Sequence, residues 1–245
     1  MLCRKFDNTK TLKCLFRRRL DKESDFVQTC RCHAFIVQCP QRWTLYRFVE
    51  QFTFDYTAAI AAVCDDMCFR IPELRHIDMS RVAVGFSQTK NTEPFGIFAS
   101  TTPLRFENGE PCYQSRGRQW TVQRLLRPDG LEYLYILYFY VPRFIELSLS
   151  QKLDTIVHEL YHVNPLFNGD LRRFAGRRFA HGSKKRYDQV VNRLVQYWLK
   201  QDPPSELWEF LCYNHRDLTA KYGKLSGTRI PAPRIIPFVH DSVGQ

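Results

Sequence analysis

At 245 residues with 44% hydrophobic side chains, the chain is long enough for one domain with a substantial core. No apolar run approaches the roughly 20 residues that cross a bilayer, and the start, Met1-Leu-Cys-Arg-Lys-Phe-Asp-Asn, lacks the apolar core of a signal peptide. The net charge of +11 is uneven: residues 1–47 hold eleven Lys/Arg against four Asp/Glu, leaving only +4 for the remainder.

Residues 1–40 carry this basic excess, centred on Arg17-Arg18-Arg19, without a periodic apolar face, so a poorly ordered, cysteine-containing segment is expected there. A folded domain is expected over residues 41–240. Nine cysteines without an export signal point to reduced thiols in a cytoplasm. Cys30, Cys32, His33 and Cys39 match no standard zinc spacing, and Cys64 and Cys68, one helical turn apart, read as small buried apolar side chains.

Residues 44–68 read as a helix, with Phe48, Phe52, Ala59, Ala62 and Val63 as its apolar positions. Strands follow at Ser80 to Ser87 and Pro94 to Ser100. Trp120 to Leu126 alternates, Arg127-Pro-Asp-Gly130 is a turn signal, and Leu131 to Val141 reads as the partner strand of a hairpin.

The next helix holds His158-Glu159-Leu160-Tyr161-His162, an H-E-x-x-H pattern. Histidines four apart on a helix lie about 40° apart around its axis, so both imidazoles reach one metal ion, and the intervening glutamate can deprotonate a water beside it. Leu149, Leu153, Ile156, Leu160 and Val163 form the apolar stripe of this helix, nearly opposite the histidines. Ser148 or Ser150 can cap its start, and Asn164-Pro165 should end it. Asp154, one turn before His158, shares the histidine face and is a candidate to orient that ligand.

Catalytic zinc commonly takes three protein ligands and keeps one position for water. His181, followed by Gly182, is the preferred third ligand, and Asp170 is its competitor or otherwise a partner of a ligand. Tyr161, Arg178 and Tyr187 are candidates to stabilise an oxyanion. Arg172, Arg173, Arg177, Arg178, Lys184, Lys185 and Arg186 bracket His181. Their plain reading is a solvated rim or local ion pairs. The sharper reading, with Phe174 and Phe179 interleaved, is a nucleic-acid patch. A last amphipathic helix is expected over Asp188 to Leu199, stopped by Asp202-Pro203-Pro204. Ser205 should cap a short helix through Leu211, before an irregular or hairpin-like tail.

H-E-L-Y-H, then P-x-F-x-G-D-L-R-R-F, then H-G at His181 resembles a phage metallopeptidase family, and more distantly the SprT and Spartan zinc peptidases. The likeness runs from about Trp43 to Phe238 and takes in Pro72-Glu-Leu-Arg-His-Ile-Asp-Met-Ser-Arg81 and Ala220-Lys-Tyr-Gly-Lys224. It implies a bacterial or phage-encoded zincin with His158, His162 and His181 on one Zn2+ per chain, Glu159 as general base, and a protein or peptide substrate. SprT relatives often add a four-cysteine ribbon, whereas this chain holds only Cys212 beyond the motif. The fold class that follows is α+β, with a small antiparallel or mixed sheet on the motif helix and a further C-terminal helix. Two other classes fit the same motif: a non-catalytic, zinc-stabilised binding protein, and a metal-dependent hydrolase of a non-peptide bond.

Overall fold

The structure is a computed structural model that describes residues 53–88, 96–174 and 184–238; the expectations for residues 1–40, and for the start of the domain up to residue 52, lie outside them. All described residues belong to one unit, Val49–Gln245. Among them are five α-helices and eight strands, so the fold is α+β. No helix among them is long and apolar enough to cross a membrane.

The central sheet has the order β2 (Val82–Gln88), β6 (Tyr135–Val141), β3 (Ala99–Pro103). β2 runs parallel and β3 antiparallel to β6, which makes the sheet mixed. A central strand covered on both faces needs apolar side chains at every position rather than alternate ones. That accounts for the run Tyr135 to Phe139. Tyr135, Leu137 and Phe139 join the helices in the main core, whereas Ile136 and Tyr138 meet Ala83 and Leu104 in a smaller cluster on the opposite face.

The apolar run therefore pairs with β2 and β3, not with Trp120 to Leu126 as a hairpin. The turn at 127–130 does form, with Gly130 N donating to Arg127 O at 3.0 Å. Pairing across it amounts to a single bridge between Leu126 and Glu132 and two flanking backbone hydrogen bonds. β5 (Arg118–Val122) instead pairs with β4 (Cys112–Ser115) and β8 (Ile235–Pro237) in a second sheet.

The first helix also starts later than its apolar positions indicated. Thr53–Asp55 is a strand, β1, paired in parallel with β7 (Lys224–Ser226). Helix α1 spans Tyr56–Arg70, because Asp55 caps it by accepting from Ala58 N at 2.9 Å. Cys64 and Cys68 are buried on it as apolar side chains. β3 likewise lies a few residues past Pro94 to Ser100, since its pairing with β6 begins at Ala99↔Phe139.

Helix α2 (Leu149–Tyr161) carries the motif. Helix α3 (Lys184–Lys200) packs beside it and is tied to α1 by Trp198 Nε1, which donates to Asp66 Oδ2 at 2.7 Å. α4 (Ser205–Trp208) runs into a 3-10 turn through Cys212, and its cap position is Pro204 rather than Ser205. The tail adds a helix that the sequence reading did not anticipate, α5 (His215–Tyr222), capped by Asn214 and closed at Gly223. Lys152 of α2 is 1% exposed, and its Nζ donates to Leu211 O at 2.9 Å and Tyr213 O at 2.7 Å. That contact pins α2 to the segment after α4.

Candidate metal and catalytic site

α2 begins at a capping box. Ser148 Oγ accepts from Gln151 N, and Gln151 Oε1 accepts from Ser148 N. From this start Leu153, Ile156, Leu160 and Val163 are fully buried against the sheet and α1. Burying such a side chain is worth roughly 1.5–3 kcal/mol, which fixes the rotation of the helix about its axis. The rotation then dictates where the motif points. His158 and Glu159 line a cleft of about 330 Å³ with Gly96, Phe98 and Ala99 on one wall and Asp188 and Val191 on the other.

The two imidazoles converge: His158 Nε2 and His162 Nε2 are 3.2 Å apart. Two nitrogens each about 2.05 Å from a tetrahedral zinc would stand roughly 3.3 Å from one another. The pair therefore has the spacing of two ligands on one ion. Tyr187 of α3 holds them there. Its ring packs on His162 at an interplanar angle of 30° with centroids 5.4 Å apart, and against His158 at 4.7 Å. Its hydroxyl donates to His158 O at 3.0 Å. Tyr187 thus braces the motif turn through that bond and through its ring.

Among the described residues no group of three His, Cys, Asp or Glu gathers to hold a metal. His181, the preferred third ligand, lies outside them, as do Arg177 and Arg178. The donors that are described fit zinc, being neutral-nitrogen ligands at tetrahedral spacing.

Glu159 is 7% exposed, and burial pushes its carboxyl up to about 7 against the pull of the Thr101 hydroxyl. Thr101 Oγ1, on β3, lies 2.8 Å from both Glu159 Oε2 and Glu159 O. The sequence reading did not single out Thr101, and no local pattern would have revealed it, since 58 residues separate it from its partner.

Asp154 lines the cleft, but it does not hydrogen-bond His158. Its Oδ1 is buried without a hydrogen-bond partner among the described residues. Burial pushes its carboxyl up to about 6, with the charge of Asp188 adding to the shift. Asp170 is also engaged elsewhere than expected. It accepts from Asn108 N (3.0 Å), Leu171 N (2.8 Å) and the Arg173 guanidinium (3.0 and 3.1 Å), and not from a motif histidine. Four donors fill the carboxylate, so it organises the loop after α2 rather than orienting a ligand. That loop is seated on the sheet by Tyr135, whose hydroxyl donates to Asp170 O at 2.8 Å and accepts from Gly169 N at 2.9 Å. Gly169 has φ +89°, and a Cβ there would meet the Arg105 side chain at 2.5 Å, so only glycine suits this turn.

Of the basic cluster, Arg172 stacks its guanidinium 4.0 Å from the Tyr161 ring centroid, and Arg173 pairs with Asp170 and Glu107. Arg186 is exposed at the start of α3, while the side chains of Lys184 and Lys185 lie outside the described residues.

Among the described residues, the wall of the cleft formed by β3 is a strand edge with no partner strand. Tyr140 N donates to Phe98 O at 2.9 Å, so Phe98 and Tyr140 form a hydrogen-bonded pair of the antiparallel ladder. Such pairs alternate. Ser100 therefore faces β6, while the main-chain N–H and C=O of Ala99 and Thr101 point away from the sheet. No other described strand pairs with that edge.

No family model, no curated protein and no solved structure matches this chain.

Proposed function

We propose that the chain is a zinc-dependent peptidase of zincin type that hydrolyses an extended peptide laid along the edge of β3. The observation that carries this reading is the 3.2 Å approach of His158 Nε2 and His162 Nε2 beside a buried glutamate in an open cleft. A lone buried carboxylate is costly, and its position next to two converging imidazoles supports a chemical role. The open edge at Ala99 and Thr101 supports a peptide substrate, because main-chain groups can add as a further strand. The H-E-L-Y-H…H-G resemblance supports the same assignment, with His181 as third ligand.

Zinc held by His158, His162 and His181 would polarise a water and the scissile carbonyl, lowering the pKa of that water toward about 7. Glu159 Oε2 is committed to Thr101, whereas Oε1 has no such bond and belongs to a side chain that lines the cleft. Oε1 is thus the atom to take the proton as the water oxygen attacks the carbonyl carbon. Glu159 then returns that proton to the departing nitrogen as the C–N bond breaks, so the base ends as it began. The apolar wall of Phe98, Ala99 and Val191 limits water beside the base, which strengthens its interactions.

The test is turnover of casein and an unbiased peptide library by zinc-loaded protein against Glu159→Gln. That variant keeps the side chain's size and should keep its zinc, while cleavage falls by roughly a hundredfold or more. Equal cleavage by the two proteins would remove Glu159 as the base.

A further inference from the structure

We propose that Thr101 is a positioning residue that couples substrate docking to the general base, with its main chain facing the bound peptide and its hydroxyl holding the carboxylate of Glu159. The inference rests on the peptidase reading of the site.

Three observations carry it. Thr101 Oγ1 is 2.8 Å from Glu159 Oε2, and this is the one hydrogen bond to that carboxylate among the described residues. Glutamate has three side-chain torsions, so a single contact at Oε2 decides which rotamer the buried chain keeps and leaves Oε1 toward the cleft. The same Oγ1 is 2.8 Å from Glu159 O, so its single proton is shared between the carboxylate and the turn of α2 that carries it. The backbone of Thr101, finally, points its N–H and C=O out of the sheet at the edge where the peptide would add, because Phe98 O is bonded to Tyr140 N three pairs earlier in the ladder and bonded pairs alternate.

A peptide hydrogen-bonded to that edge is therefore one residue away from the base, with no described strand in between. Misplacement of about 1 Å at a reacting group can cost orders of magnitude in rate, so a rigid link of this kind matters for kcat more than for binding. A merely structural tie between β3 and α2 would need the contact to Glu159 O alone. The contact to Oε2 adds little to the packing and is what a positioning role requires.

Thr101→Val and Thr101→Ser separate the two parts. Valine keeps the shape of threonine and the backbone edge but removes the hydroxyl; serine keeps the hydroxyl. In Thr101→Val, kcat for peptide cleavage should fall about tenfold or more while KM stays within about twofold, and Thr101→Ser should recover most of the loss. Crystal structures of the three proteins supply a readout independent of activity. Glu159 should occupy one rotamer in the wild type and in Thr101→Ser, and more than one in Thr101→Val. An unchanged kcat, or a Glu159 that keeps its rotamer without the hydroxyl, would overturn the proposal. If the wild type and Glu159→Gln cleave peptides equally, the peptidase reading fails by itself, and the Glu159 rotamer then decides whether Thr101 holds the carboxylate.

Discussion

The hydroxyl of Tyr187 donates to the main-chain oxygen of His158 at 3.0 Å, so α3 supports the turn of α2 that carries the motif. His158 O lacks the usual donor four residues on, because His162 N turns to Glu159 O as the helix ends. Tyr187→Phe keeps the ring against both histidines and removes this bond. We expect a loss of about 1 kcal/mol, or roughly 2–4 °C in Tm for a domain of this size. Zinc affinity should weaken about tenfold, as when an outer partner of a ligand is lost. Calorimetry and a competitive chelator titration measure the two. Wild-type values for both would show that the ring alone positions the histidines.

Metal content follows from the geometry of the pair. Zinc-loaded protein should hold about one ion per chain. His158→Ala, His162→Ala and His181→Ala should each reduce occupancy sharply in elemental analysis of the purified proteins. Asp170→Ala should behave differently. It strands Arg173 and two backbone amides, so it should cost roughly 2–4 kcal/mol of stability with zinc content near one. Zinc lost on Asp170→Ala but kept on His181→Ala would make Asp170 the third ligand.

Asp154 gives a pH dependence with a definite sign. Its carboxyl is held up at about 6 against an ordinary 3.8, by burial first and by Asp188 second. Across that window the folded metal-free protein keeps a proton that the unfolded chain has released. Stability contributed below about 3.8 is therefore lost as pH rises to 6, and the cost persists above it. Asp154→Asn removes the titration. Its Tm should exceed that of the wild type at pH 7.5, and the gap should shrink toward zero near pH 4. The melts are run on chelator-treated proteins. A gap independent of pH would mean that Asp154 titrates as an ordinary exposed carboxyl.

Lys152→Met tests the anchor of α2. Methionine fills similar space, but it leaves Leu211 O and Tyr213 O without their donor in a buried setting. Equilibrium urea unfolding should show a loss of about 2–4 kcal/mol. Zinc content should be unchanged, since the lysine lies away from the cleft-lining side chains. A neutral effect would show that water replaces the ammonium at both carbonyls.

The sequence alone determined what depends on neighbours three or four residues apart. The apolar stripe from Leu153 to Val163 set the buried face of α2, Ser148 set its start, and the spacing of His158 and His162 set their common direction, because a helix converts spacing into geometry. The turn at 127–130 and the burial of Cys64 and Cys68 were legible for the same local reason. Tertiary structure decided the rest. Leu131 to Val141 looked like half of a hairpin, yet strand pairing is chosen by which apolar face needs covering, and β2 and β3 cover it better than β5 does. Asp154 and Asp170 sat at plausible spacings for the histidines, but a carboxylate goes to whichever donors the fold brings nearest, and for Asp170 those were Arg173 and two amides. Thr101 had no signature at all. Its role arises only when β3 is laid antiparallel to β6 and against α2, bringing a hydroxyl to a carboxylate 58 residues away in the chain.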